Sequence, residues 1–503
     1  MTNYLTKILN ATVYDVAVRT PLDEASALSS RFGCRFLLKR EDLQEVHSYK
    51  IRGAYNKMSQ LPRSALEKGV ICASAGNHAQ GVALSAKKLG VKATIVMPAT
   101  TPEIKTSAVK AYGATIVLHG DSYSETYPEL HRQIEKHGYT YIPPFDDPDV
   151  IAGQGTVGRE ILEQAPRSLS AVFVPIGGGG LAAGVSTYIK AVRPSVKVFG
   201  VEPDDSDCMY RSLKAGKRVT LPNPGLFADG VCVMEPGKET FRLCQENLDG
   251  IVRVSTAETC AAIKDVFEAT RAICEPAGAL ALAAAKKVAK KGETYACVIS
   301  GANMNFDRLR FVSELTESGE GREAVFDCAI PERPGSFLKF IEKIGRRSVT
   351  EFNYRMSEGV LAHVFVGLAV KDMADRKAVQ KNFRAAGFHC IDLSDSVIAK
   401  EHVRHMVGGL STGIDNEVVY SFEFPEKPGA LMKFLSVIAG RWNVSLFHYR
   451  NHGSDHGRVL AGFQVPPEGR GEFDAVLREI GYQFEDVTSD PAYKYFLGRR
   501  GRK

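Results

Sequence analysis

One stretch of this chain occurs twice. IPERPGSFLKF begins at Ile330, and FPEKPGALMKF begins at Phe424, 94 residues further on. EFNYR (351–355) and LFHYR (446–450) then match at a spacing of 95, which Gly367 and Gly462 keep. A period this long exceeds that of solenoid repeats, so the shared prolines, glycines and aromatics mark two copies of one domain rather than an array. In the first copy the apolar patterning reads strand AVFDCAI, helix PGSFLKFIEKIG and strands SVTEFNYRM and VLAHVFVGLAV, then helix ADRKAVQKNFRAAG and strand FHCIDLS. That order is βαββαβ. Pro334 and Pro428 fall just inside a helix start, where a missing N–H costs nothing.

Upstream, to about residue 310, the pattern is different. VICAS (70–74) runs into NHAQGVALSAKKLG, KATIVM (92–97) into PEIKTSAVKAYG, and ATIVLHG (114–120) into a polar helix ending EKHG, followed by YTYI. AVFVPI (171–176) leads to LAAGVSTYIKAV, then come VKVFGVE and, near 300, CVISGAN. Short β-branched runs alternating with helices predict βαβ units and parallel sheets covered on both faces. The interruption between the two groups predicts two α/β lobes with a ligand cleft between them. TESGEGRE (316–323) reads as a linker. The expected division is therefore an α/β domain over 1–315 with a smaller lobe inserted at about 50–150, the linker 316–323, and repeat units over 324–410 and 411–503.

Four motifs in the α/β part carry chemistry. Lys50, in Ser48-Tyr49-Lys50-Ile51-Arg52-Gly53-Ala54, has apolar neighbours that would deprive its ammonium of water, and a neutral amine can form a Schiff base. Alone it would pass for a surface lysine. Gly177-Gly178-Gly179-Gly180 lies between a buried strand and a helix, where backbone N–H groups can converge on a phosphate. Ser74-Ala75-Gly76-Asn77-His78, at another strand-to-helix junction, offers a carboxylate pocket, with an ordinary N-cap as the structural alternative. Ser300, in Ser300-Gly301-Ala302-Asn303 at a strand end, could hydrogen-bond a ring nitrogen or be a plain turn residue. Together they describe pyridoxal phosphate and an α-amino acid.

A rival reading remains. Gly177, Gly179 and Ala182 satisfy G-x-G-x-x-A, and Glu202 follows at a strand end, as a dinucleotide-dependent oxidoreductase would require. That fingerprint usually opens the first βαβ unit, whereas this strand comes late. A third possibility is an amino-acid-sensing regulator whose α/β half is catalytically dead.

SYKIRGA, SAGNHAQG, GGGGL, EPAGALALA (275–283) and SGAN together resemble the fold-type II pyridoxal-phosphate enzymes of the tryptophan synthase β-like class, and among them the biosynthetic threonine dehydratases. The resemblance spans essentially the whole chain and implies open parallel sheets in two lobes. It implies Lys50 as the Schiff-base lysine, Asn77 beside the cofactor's ring oxygen, Gly177, Gly178, Gly179, Gly180 and Leu181 around its phosphate, and Ser300 at its ring nitrogen. Ser74 and Gly76, with Asn77, would bind the substrate carboxylate, and Glu275 would support the site. The implied reaction converts L-threonine, or possibly L-serine, to the 2-oxo acid and ammonia. Related serine racemases carry a second acid–base serine where this chain has Ala75, and a divalent-metal site where Glu202 is accompanied by Ser206 and Cys208, so racemisation and metal binding are not expected. The duplicated unit resembles ACT-like, ferredoxin-like regulatory domains, which implies inhibition by isoleucine, antagonism by valine and a homotetramer. Phe352, Tyr354, Phe447 and Tyr449 are candidate effector-site residues, with core aromatics as the alternative.

Composition excludes the remaining classes. The 44% hydrophobic and 24% charged content is that of a soluble protein, and no apolar run approaches the roughly 20 residues of a membrane span. A net charge of +6 over 503 residues does not point to nucleic acid. Ten cysteines without a CxxC pair, and a start (MTNYLTKILN) without signal or transit character, make a reducing cytoplasmic setting the expectation.

Overall fold

The computed structural model describes residues 3–120, 123, 125–306, 308–319, 322–331, 333, 335–345, 347–356, 361–396, 399, 403, 406, 414–425, 430–438, 441–450, 456–490, 493 and 497. The chain forms two compact units, Met1–Thr316 and Glu317–Lys503. Pro334 and Pro428 lie outside the described residues.

Among the described residues, the first unit holds two sheets. The larger runs β1 (Leu22–Glu24), β2 (Arg35–Arg40), β10 (Thr294–Ile299), β7 (Leu169–Pro175), β8 (Lys197–Pro203) and β9 (Gly250–Val254) in spatial order. Its strands are parallel except β1, which pairs antiparallel with β2. The smaller sheet runs β5 (Thr115–Leu118), β4 (Ala93–Met97), β3 (Val70–Ala73) and β6 (Thr140–Tyr141), all parallel. These are the two lobes expected from the strand–helix alternation.

Strand periodicity puts alternate residues on opposite faces, and β7 shows the result. Ala171 and Phe173 enter a core with the alanine-rich helix Pro276–Lys287, whereas Val172 and Val174 enter another with the helix Gly180–Val192. Both faces of the larger sheet are thereby dry at β7, which is why its AVFVP reads as an unbroken apolar run. The loops after β3, β7 and β10 open on one cleft.

The second unit is an eight-stranded antiparallel sheet. The first copy contributes β14 (His389–Asp392), β11 (Glu323–Pro331), β13 (Leu361–Ala369) and β12 (Val349–Arg355). The second contributes β16 (Asn443–Arg450), β17 (His456–Gln464), β15 (Glu417–Pro425) and β18 (Gln483–Asp486). The copies have mirrored strand order and meet edge to edge, β12 against β16, so each covers the other's exposed edge. The βαββαβ expectation holds in both. Helix Arg308–Gly319 and β11 occupy most of the segment read as a linker. Cys328 and Cys390, register partners on β11 and β14, form a disulfide, and the other eight cysteines are free.

Candidate active site

A cavity of about 780 Å³ lies in the first unit, lined from both lobes. Its size suits a cofactor with a small substrate. The glycine run forms one wall. Gly179 has φ 98°, a left-handed conformation that a side chain would resist, and helix Gly180–Val192 starts behind it without a side-chain cap. The Gly178 carbonyl is tied back by Thr240 Oγ1 (2.6 Å) and the Gly237 N–H (3.3 Å). A Cβ on Gly178 would sit 2.3 Å from the Phe145 ring, and one on Gly179 would sit 2.7 Å from Met209 Cε. Only glycine fits here, and an uncapped helix N-terminus behind it is the donor set a phosphate requires.

Lys50 opens the helix Lys50–Ser59, its Nζ donating 2.9 Å to the Pro144 carbonyl, with the Tyr49 ring 5.4 Å away. Burial pulls its ammonium down to about 8, partly opposed by Glu275. Asn77 opens the helix Asn77–Leu89. Its Nδ2 donates to Glu275 Oε1 (2.7 Å) and its Oδ1 accepts from Asn303 Nδ2 (2.7 Å). The N-cap position belongs to Gly76 and no side chain caps this helix, so neither Ser74 nor Asn77 serves as an ordinary cap. Ser74 Oγ instead accepts from the Gly76 N–H (3.2 Å), shaping the turn. Glu275 is almost fully buried, and burial with Asp229 nearby pushes its carboxyl up to about 7. Lys50, Ser74, Gly76, Asn77, the four glycines, Leu181 and Glu275 all line the cavity. Ser300 is not among the lining residues. It is buried at the end of β10, its Oγ donating 3.3 Å to the Ala277 carbonyl.

A half-buried amine, a side-chain-free anion cradle and an amide-bearing helix start facing one cavity fit pyridoxal phosphate. Residues 13–301 match the family described as "Pyridoxal-phosphate dependent enzyme", and 314–403 and 408–497 each match "C-terminal regulatory domain of Threonine dehydratase". The chain is 53% identical to the biosynthetic L-threonine dehydratase of Burkholderia multivorans, over 98% of this chain and 99% of that one. The chain belongs to the pyridoxal-phosphate dependent biosynthetic threonine dehydratases. The Escherichia coli enzyme is 50% identical, over 98% and 97% of the two chains. Among solved structures, threonine deaminase isoform 2 of Solanum lycopersicum superposes with TM-score 0.61 at 51% identity, covering 62% of this chain and 92% of that one. Maize serine racemase follows at 0.58 and 32%, covering 61% and 96%. The cofactor is pyridoxal phosphate, and the enzyme is a lyase.

The oxidoreductase reading fails at Glu202. That carboxyl is fully buried at the end of β8, each oxygen taken by a backbone N–H, Met209 at 2.9 Å and Tyr210 at 2.7 Å. Burial pushes it up to about 8, and it has no freedom to reach a ribose. Ser206 and Cys208 are also buried beside it, Ser206 turned to the Val231 carbonyl (3.4 Å).

Several lining residues escaped the sequence. Asn303 sits inside the SGAN motif but shows its partners only in three dimensions. Phe145 follows the small lobe and walls the glycines. Lys105, on helix Glu103–Lys110, reaches across the cleft to Asp229 at 2.9 Å. Only a cross-lobe contact reveals it.

In the second unit, Phe352 faces Tyr449 and Tyr354 faces Phe447 across the β12–β16 seam. All four are buried, the two phenylalanine rings 5.7 Å apart. A crevice beside Tyr354, with Arg333, Gly335 and Trp442 in its wall, holds only about 10 Å³, room for little more than one water.

Proposed function

We propose that this chain removes water and ammonia from L-threonine to give 2-oxobutanoate, the committed step toward isoleucine. The carrying observation is the half-buried Lys50 amine sharing a cavity with the glycine cradle and Asn77, in a chain half identical to biosynthetic threonine dehydratases along nearly its full length. Bound at Lys50, pyridoxal phosphate supplies an electron sink that acidifies the substrate's Cα–H. Lys50 would hold the cofactor through its amine and, as a neutral amine, would accept the Cα proton. The amides of Gly177 to Gly180, with Leu181, hold the phosphate. Ser74, Gly76 and Asn77 bind the substrate carboxylate at the uncapped start of helix Asn77–Leu89. Ser300, a neutral hydroxyl at the end of β10, would serve the ring nitrogen by turning its hydrogen away from the Ala277 carbonyl. A neutral hydroxyl there, in place of a carboxylate, would favour elimination over transamination.

The same reading assigns isoleucine as inhibitor and valine as its antagonist at the duplicated unit, with Phe352, Tyr354, Phe447 and Tyr449 beside the effector. An effector beside Tyr354 would have to open the seam on binding, since the crevice there holds only about 10 Å³. It also includes a homotetramer in the cytoplasm, a setting that suits the eight free cysteines and in which the Cys328–Cys390 pair would be held reduced. Among the described residues, no helix is long and apolar enough to cross a membrane.

The test is 2-oxo acid release from L-threonine by wild type and Lys50→Ala, with and without isoleucine. The expected result is turnover by wild type, suppressed by isoleucine, and none by the variant. Equal rates in the two proteins would remove Lys50 from the chemistry.

A further inference from the structure

Three side chains lining the cavity close a ring of hydrogen bonds whose polarity can be read atom by atom. Asn303 Nδ2 has two hydrogens. One goes to the Val46 carbonyl at 2.8 Å and the other to Asn77 Oδ1 at 2.7 Å. A carbonyl oxygen can only accept, so Val46 decides which end of the Asn303 amide is nitrogen. Asn77 must then turn its oxygen to Asn303 and its nitrogen to Glu275, whose Oε1 accepts at 2.7 Å. The Asn303 backbone N–H donates to Glu275 Oε2 at 3.0 Å, so each carboxylate oxygen holds one donor. One Asn77 Nδ2 hydrogen remains outside the ring.

The ring is built into the scaffold. Asn303 lies in the loop after β10, Glu275 is the N-cap residue of helix Pro276–Lys287, and Asn77 begins a helix of the smaller lobe. Two glycines make room for the carboxylate: a Cβ on Gly301 would lie 2.9 Å from Glu275 Oε1, and one on Gly230 would lie 3.1 Å from it. Reversing the Asn77 amide would set nitrogen against nitrogen at Asn303 and oxygen against the almost fully buried carboxylate of Glu275, two repulsive contacts.

We infer that Glu275 and Asn303 are positioning residues that lock the Asn77 amide in one of its two orientations, so that it presents an N–H donor to the cofactor's ring oxygen. The inference rests on the reading of Asn77 as a cofactor-side residue. It gives Glu275 a defined task and adds Asn303 to the site.

Ionisation matters, because a proton on Glu275 would displace one of its two donors. The carboxyl faces Asp229, which with burial raises it to about 7, while Asn77, the Asn303 N–H and Lys105 favour the ionised form. Lys50 feels the same carboxylate. The locked arrangement is therefore the one present above neutral pH.

The test uses holoenzyme and the pH midpoint of the bound cofactor's visible absorbance, with cofactor content measured in parallel. Glu275→Gln, which removes the charge that Asn77 donates to, and Asn303→Asp, which removes the donor to Asn77 Oδ1, should each move the midpoint by about one unit or more and lower kcat about tenfold with little change in KM. Should Glu275→Gln fail to fold, Asn303→Asp carries the same expectation. The double variant Glu275→Gln with Asn77→Asp closes the ring again but has no donor at position 77. Its midpoint should stay displaced. Return to the wild-type value would show that the ring only packs, and would overturn the inference. Asn77→Ala separates the two levels. If it shifts the midpoint while Glu275→Gln and Asn303→Asp do not, this inference falls and the reading of Asn77 stands. If Asn77→Ala also leaves the midpoint unmoved, both fall.

Discussion

An ammonium group that is poorly hydrated gives up its proton more readily, and Lys50 is held in that condition by the cleft around it. Its lowering from the ordinary 10.5 to about 8 makes the amine a usable nucleophile toward an aldehyde. The rate at which pyridoxal phosphate reloads the apoprotein should therefore rise with pH and level off above about 8, as followed by stopped-flow absorbance. A rate still climbing at pH 10 would mean that the amine is fully hydrated. The same shift has a stability consequence of defined sign. Between pH 8 and 10.5 the unfolded chain binds the proton that folded Lys50 has released, so the apoprotein should gain stability as pH rises through that window. Gly178 tests the opposite wall. Gly178→Ala would drive a methyl group into the Phe145 ring. It should weaken cofactor binding by roughly 10- to 100-fold, the equivalent of about 1–3 kcal/mol of overpacking, measured by fluorescence titration of apoprotein.

Helix Lys50–Ser59 owes its place to an ion network with no exposed atoms to speak of. Arg52 reaches Glu41 through two contacts, 2.7 and 2.8 Å, and Glu160 at 2.6 Å, while Lys39 reaches Glu160 at 2.5 Å. Two cations and two anions cancel, and all four side chains are fully buried. Burial disfavours the Glu160 carboxylate, yet Arg52 and Lys39 hold it below its ordinary range. Glu160→Ala leaves Lys39 without its carboxylate while Arg52 keeps Glu41, one uncompensated buried charge, and should cost about 3–5 kcal/mol in urea unfolding with an unchanged m-value. A loss under 1 kcal/mol would mean that water already reaches the network. This network also explains what the sequence conceals. β7, β8 and β10 were readable because strands buried on both faces are apolar throughout. β2, RFLLKR, was not, because Lys39 and Arg40 look solvated until Glu160 and Asp42 are seen beside them. β1, LDE, is a three-residue edge strand with little apolar signal, and β9, GIVRV, is a short strand at the other edge whose apolar run is broken by Arg253. Within the site, the glycine run declared itself through residue type, and Lys50 through its apolar neighbours and the company of the other motifs. Asn303 and Lys105 did not, since their roles depend on partners 226 and 124 residues away in the sequence.

At the scale of the whole molecule, a duplicated C-terminal unit accompanies an α/β enzyme, and the duplication was the most legible feature of all because it survives as repeated letters. Its structural meaning is the seam between β12 and β16, where Tyr354 and Tyr449 lie in copies of one position. An effector acting there can govern turnover only by binding more tightly to one state of the enzyme than to another. Tyr449→Ala should therefore shift the isoleucine inhibition curve to higher concentration and flatten it, with uninhibited turnover kept. An unchanged curve would remove Tyr449 from the effector site. All of this presupposes the covalent cofactor. Holoenzyme reduced with borohydride should lose its visible band and carry the pyridoxyl mass on a single peptide, at Lys50. A label on another lysine, or no label on a protein that still deaminates threonine, would contradict the account.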